Sequence, residues 1–177
     1  MTAAIKEDVL TTVSTEAATN FVQSYYSALE SARQTLATFY APAVSKIIFN
    51  GNVVADGASV QDIFVNQLPP AHHEVQSFDC QVLNPNYPTI PPTQADNTAS
   101  PFGANPNRNT PDPTKNMSIL VIVSGYVKFG EGKETWDSPN RGFSETFVLI
   151  PNPQATGGPK GRGKQWLIQS QNFRIVV

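Results

Sequence analysis

One cysteine, two histidines, two methionines and two tryptophans are all that the 177 residues hold of those types, and only 15% of the residues are charged. The lone Cys80 excludes an internal disulfide and a Cys-x-x-Cys redox pair, and without a second thiolate there is no cysteine-built zinc sphere. A reducing compartment fits such a chain. Excess charge of either sign is also missing. Twelve basic residues against 14 acidic ones leave a formal charge of -2, too little for the broad positive field that holds nucleic acid unaided. Contact with RNA then needs charge from a partner. No apolar run approaches the roughly 18 residues of a membrane-spanning helix, and Met1 to Asp8 show no basic segment followed by an apolar signal core. A soluble chain with no membrane insertion is expected.

What is present is enough apolar material for a core: 40% hydrophobic residues, with ten Phe and five Tyr. A chain of this length buries about 70% of its extended surface on folding, and a single domain over residues 1–177 is the natural reading. From Glu16 to Tyr40, Ala17, Phe21, Tyr25 and Leu29 recur every fourth residue, and Leu36 with Phe39 or Tyr40 continues the face. This predicts a helix capped by Ser14 or Thr15, bent or recapped near Glu30–Gln34 and stopped by Pro42. Val44–Phe49 reads as a strand, Asn50-Gly51 as a tight hairpin turn, and Val53-Val54 as the return. Ala58 to Leu68 then places Val60, Phe64 and Leu68 on one face of a second helix, ended by Pro69-Pro70.

His72 to Leu83 reads as a strand with Phe78, Cys80 and Val82 on one side and His73, Val75, Ser77, Asp79 and Gln81 on the other. Eight of the fifteen prolines then fall between Asn84 and Asn116, which marks an inserted loop. Three further strands, about 118–129, 143–150 and 165–176, are too closely joined for crossover helices. The expected fold class is α+β: a curved mixed or antiparallel sheet packed against the N-terminal helices, cone-like and half open. The run Ile119-Leu120-Val121-Ile122-Val123 is apolar on both faces of its strand. The helices cover one face, and the other calls for a protein partner or for cover from within the chain.

The candidate chemistry is thin. His72 and His73 are adjacent on a strand and point to opposite faces, so with Glu74 they do not converge on a metal, and they read as surface or sheet-edge residues. Asp56 and Asp79, with His73, are the candidates for acid–base work in a cone-shaped fold, yet the pattern does not bring them together. Cys80 shares the apolar alternation of Phe78 and Val82 and reads as core. Asn116-Met117-Ser118 fits a glycosylation triplet but abuts a strand. Gly158 to Gln165 imitates a phosphate-binding loop, but Gln165 stands where the magnesium-binding hydroxyl belongs, and Trp166-Leu167-Ile168 reads as strand where a helix is needed. Lys160, Arg162 and Lys164 still make a compact positive loop, open to readings as a solvated turn or as an auxiliary contact for RNA or an acidic protein segment. No cofactor is implied.

Phe21-Val22-Gln23-Ser24-Tyr25-Tyr26, Leu36-Ala37-Thr38-Phe39-Tyr40 and Phe49-Asn50-Gly51-Asn52 resemble the start of the nuclear transport factor 2-like family. In the same order, Val75–Gln81, Val121–Phe129, Phe143–Leu149, Trp166 and Phe173-Arg174 resemble its messenger-RNA export small-subunit branch, and the long loop looks like the fungal form. The resemblance implies a noncatalytic subunit of a heterodimer, its free sheet face pairing with the similar domain of a large messenger-RNA export receptor. The pair would contact Phe-Gly repeats of nucleoporins, work in the nucleus and at the nuclear pore, and shuttle to the cytoplasm with RNA or preribosomal cargo. It also implies that Arg174 forms an ion pair with a partner aspartate, with Asn172, Ser170, Tyr126 and Lys128 as accompanying interface positions. Alternation puts Ser170, Asn172 and Arg174 on one face of the last strand and Phe173 and Ile175 on the other, unless a bulge resets the phase. Two other functions stay open: a homodimeric protein-transport carrier, and a small-molecule isomerase or dehydratase of the same fold using Asp79 or Asp56.

Overall fold

The computed structural model describes residues 7–87, 116–130, 139–155 and 164–176. Most of the expected insertion, together with Lys160 and Arg162, lies outside the described residues. Helix α1 runs from Glu7 to Ser31 and buries Ala17, Ala18, Phe21, Val22, Tyr25, Tyr26 and Leu29, the stripe that four-residue spacing creates. It begins earlier than the predicted cap. Ser14 and Thr15 sit inside it, their hydroxyls donating back to the Thr11 carbonyl at 3.0 and 2.8 Å. The expected break is present, and a 3-10 helix, Arg33–Phe39, follows α1. Arg33 joins the pieces: Nε donates to the Leu29 carbonyl at 2.9 Å and Nη1 to that of Phe64 at 2.8 Å. A cation thus meets the carbonyl end of α1 and ties it to the second helical layer.

Strands β1 (Lys46–Phe49) and β2 (Asn52–Val54) form the hairpin, turning at Asn50 (φ 48°) and Gly51 (φ 85°). Both turn residues need positive φ, which is what Asn-Gly supplies. Helix α2 (Gly57–Asp62) continues into a wider π-helical turn, Ile63–Gln67. Asp56 caps α2, accepting from the Ser59 backbone amide at 2.8 Å. Four long strands follow: β3 (Ala71–Asn84), β4 (Ser118–Phe129), β5 (Arg141–Pro151) and β6 (Trp166–Val176). The six strands make one sheet in the order β2-β1-β6-β5-β4-β3. Every pairing is antiparallel except β1 with β6, so the sheet is mixed.

Of three register shifts in the sheet, one falls at Leu83 near the end of β3 and two lie beside the residues of interest. The first, between Val75 and Ser77 of β3, adds Gln76 and flips the phase of the strand. His73 and Val75 therefore share the inner side with Cys80 and Val82, and His73 is 6% exposed, which corrects its expected place at the surface. Gly125 permits this geometry: a Cβ there would fall 2.1 Å from the Glu74 carbonyl oxygen. The second bulge lies at Gln169, just before Ser170, and leaves the alternation from Ser170 onward intact. Between sheet and helices the core is aromatic. Phe147 packs edge-on to Phe21 and Tyr25 at 4.9 and 5.1 Å between ring centroids, and Phe173 stacks on Phe49 at 4.7 Å.

Candidate functional site

The helices cover the inner face of the sheet, and the outer face is open. Strand periodicity and the cross-strand register assign its residues to rows running across the strands. One row is Ser77, Ser124, Ser144 and Arg174; the next is Asp79, Ile122, Thr146, Asn172, Ile48 and Val53. On either side of these lie Glu74–Tyr126–Gly142–Val176 and Gln81–Leu120–Val148–Ser170. His72 pairs with Lys128 near the end of β4. All five sequence-chosen interface positions, Arg174, Asn172, Ser170, Tyr126 and Lys128, therefore lie on this one face.

Large apolar side chains stand in water there: Ile122 is 45% exposed, Tyr126 46% and Val53 72%. Ser77 and Ser124 share a hydroxyl hydrogen bond of 2.8 Å. Among the described residues Arg174 has neither an ion pair nor a side-chain hydrogen bond. The run at 119–123 divides as its alternation requires. Ile119, Val121 and Val123 are buried under the helices, and Leu120 and Ile122 belong to the outer face.

The candidate acids do not meet. Asp56 is a helix cap whose carboxyl is held below the usual range by hydrogen bonds from Ser59. Asp79 is exposed on the outer side of β3 and accepts from the Cys80 amide. His73 lies on the inner side, where burial, aided by the charges of Arg33 and His72, pushes its pKa down to about 4. Exposed His72 pairs with Glu30 at 2.9 Å. No metal-binding group of three His, Cys, Asp or Glu occurs among the described residues. Of the basic loop, Lys164 is described. Its Nζ bonds Thr38 Oγ1 at 2.8 Å and sits 3.9 Å above the Phe39 ring, so it is drawn against the protein instead of projecting from it. A groove of about 450 Å³ beside it is floored by Ala17, Phe21, Phe39 and Trp166.

Sequence reasoning missed one cluster, at the centre of the cone. Glu145 is 2% exposed and hydrogen-bonded to Tyr26 and Gln171, which in turn engages Tyr25 and Tyr40. The signal was present: Glu145 falls in the inward alternation of Phe143, Phe147 and Leu149, a carboxylate among apolar side chains. Burial pushes its pKa up to about 7 against the pull of those two hydrogen bonds.

A curved mixed sheet with N-terminal helices packed on its inner face and an open outer face defines an NTF2-like cone fold. Residues 17–174 match the Nuclear transport factor 2 (NTF2) domain, and the chain belongs to that family. It is 26% identical to NTF2-related export protein 1 of Bos taurus over 159 residues, 90% of this chain and 86% of the relative. NTF2-related export protein 2 of Homo sapiens is 27% identical over 90% of this chain and 84% of its own. A solved complex described as Sac3N peptide bound to Mex67:Mtr2 matches with a TM-score of 0.69 at 25% identity, over 91% of this chain and 98% of the matched one. The likeness thus runs to export-type members of the family.

Proposed function

We propose that this chain is the noncatalytic small subunit of a heterodimeric messenger-RNA nuclear export receptor, docking through its outer sheet face on the nuclear transport factor 2-like domain of the large subunit. The observation that carries this reading is the outer face itself: exposed Ile122, Tyr126 and Val53 share it with an Arg174 that has no polar partner among the described residues. Its size suits the role. The six strands hold 55 residues, each taking about 3.4 Å along the strand and about 4.8 Å across it, giving roughly 900 Å² of sheet, against roughly 800 Å² per partner in a stable complex. The named relatives support the export setting, and the matched solved complex contains two named proteins beside its peptide.

In this reading the chain stabilises its partner by excluding water from both sheets, and Arg174 meets a partner carboxylate that fixes the register. The pair presents the surface that binds Phe-Gly repeats, in the nucleus and at the pore. Co-expression with the large receptor's domain, followed by light scattering, tests it. A one-to-one complex that Ile122→Asp dissociates is expected. A stable homodimer at micromolar concentration, indifferent to the large subunit, would replace this reading with the homodimeric carrier.

A further inference from the structure

The buried centre of the cone has a hydrogen count that outer-face docking does not use. Tyr26 Oη donates to Glu145 Oε2 at 2.6 Å, and Gln171 Nε2 donates to Glu145 Oε1 at 2.5 Å and to Tyr25 Oη at 2.9 Å. Tyr40 Oη donates to Gln171 Oε1 at 2.5 Å, and the Tyr25 and Tyr40 hydroxyls lie 3.3 Å apart. Three hydroxyl hydrogens and two amide hydrogens therefore each find an acceptor when Tyr25 donates to Tyr40 and Glu145 is ionised. A protonated Glu145 brings a sixth hydrogen. It must point at Tyr26 or Gln171, each already donating to the carboxyl, so one donor in the ring loses its acceptor.

Among the described residues, no positive charge offsets the carboxylate from the packed elements. The groups facing this interior are Tyr25 and Tyr26 of α1, Tyr40 after the 3-10 helix, Val123 of β4, and Gln171 and Phe173 of β6. His73 of β3 lies beyond, its ring 5.9 Å from that of Tyr26, and burial keeps it neutral. Its Nδ1 is buried without a hydrogen-bond partner. Hydrogen bonding favours the ionised state and burial the neutral state, and burial is the stronger, so the carboxyl is pushed up to about 7.

We propose that Glu145 is a buried proton-binding site whose occupancy sets how firmly α1 is held to the β5–β6 pair, and through that pair the docking face. Ser144 and Thr146, its chain neighbours, lie on the outer face opposite Arg174 and Asn172. The link to docking rests on the function proposed above; the proton site itself does not.

Carbon-detected NMR of the Glu145 carboxyl across pH 5 to 9 tests the site in the full chain. A midpoint near neutrality is expected, moving up by about one pH unit in Tyr26→Phe, which removes a donor to the ionised form. Glu145→Gln should abolish a pH dependence of large-subunit dissociation that the wild type shows. A carboxyl titrating in the ordinary range, or a midpoint unmoved in Tyr26→Phe, overturns the proton site. Dissociation equally pH-dependent in wild type and Glu145→Gln overturns its link to docking. A chain that titrates near neutrality yet never binds the large subunit removes the proposed function and leaves the proton site standing.

Discussion

Arg174→Ala separates folding from docking. The guanidinium sits in a row with three serines, Ser77, Ser124 and Ser144, and the row supplies no carboxylate. Asp79, on the neighbouring row, is three strands away, about 14 Å across the sheet, beyond a Debye length of about 8 Å at physiological salt. In the free chain the charge is therefore solvated, and its removal changes stability by about 0.5 kcal/mol or less. On docking it is desolvated and needs a partner carboxylate. Truncating one member of such a buried pair costs about 2–5 kcal/mol, which raises Kd by roughly 30-fold to several thousand-fold. Calorimetric titration of the large-subunit domain with wild type and variant, beside thermal unfolding of each chain, reads both numbers. Arg174→Lys should recover part of the loss, because charge survives and the planar fork does not. A Kd unchanged within twofold in Arg174→Ala, with normal unfolding, refutes the ion pair; a large drop in melting temperature refutes the claim that this residue serves docking alone.

The two buried titrating groups oppose one another. Glu145, raised to about 7 from 4.5, binds its proton more tightly in the folded state, so its contribution is fully present below pH 4.5 and is lost as pH rises to about 7. His73, lowered to about 4 from 6.5, is protonated more readily when unfolded, so its contribution is present above pH 6.5 and is lost as pH falls to about 4. Each is worth about 3 kcal/mol over its window, and between about pH 4.5 and 6.5 they cancel. Relative to wild type, Glu145→Gln should make stability rise with pH in that window and His73→Phe should make it fall, as denaturant unfolding at a series of pH values will show; parallel profiles for all three contradict the assignment. Phe147→Ala, at a fully buried ring wedged between Phe21 and Tyr25, should cost about 3–5 kcal/mol in the same assay. A loss under 1 kcal/mol would show that this core collapses to fill the space.

Much of this was legible because periodicity survives wherever strands stay regular. The alternation along the last strand correctly separated exposed Asn172 and Arg174 from buried Phe173 and half-buried Ile175, since the bulge at Gln169 lies before them. Asn50-Gly51 turned as its chemistry requires. The failures have equally local causes. One extra residue, Gln76, moved His73 and Val75 to the inner face, and its position depends on the close approach of Gly125 to Glu74 in another strand. Ser14 and Thr15 looked like caps, but hydroxyls inside a helix can satisfy themselves on the preceding turn. The parallel pairing of β1 with β6 joins segments over a hundred residues apart and leaves no local trace. Glu145 was visible as a carboxylate in an apolar alternation, whereas its partners Tyr25, Tyr26, Tyr40 and Gln171 come together only in the folded chain.

Hydroxyl-radical footprinting of Tyr126 and Ile122, with and without the large export receptor's domain, tests the docking of the outer face most directly. Both should lose most of their labelling in the complex, while Val9 and Val65, similarly exposed on the helical elements, keep theirs. Equal labelling of Tyr126 and Ile122 in both states, or protection of Val9 and Val65 instead, would contradict it.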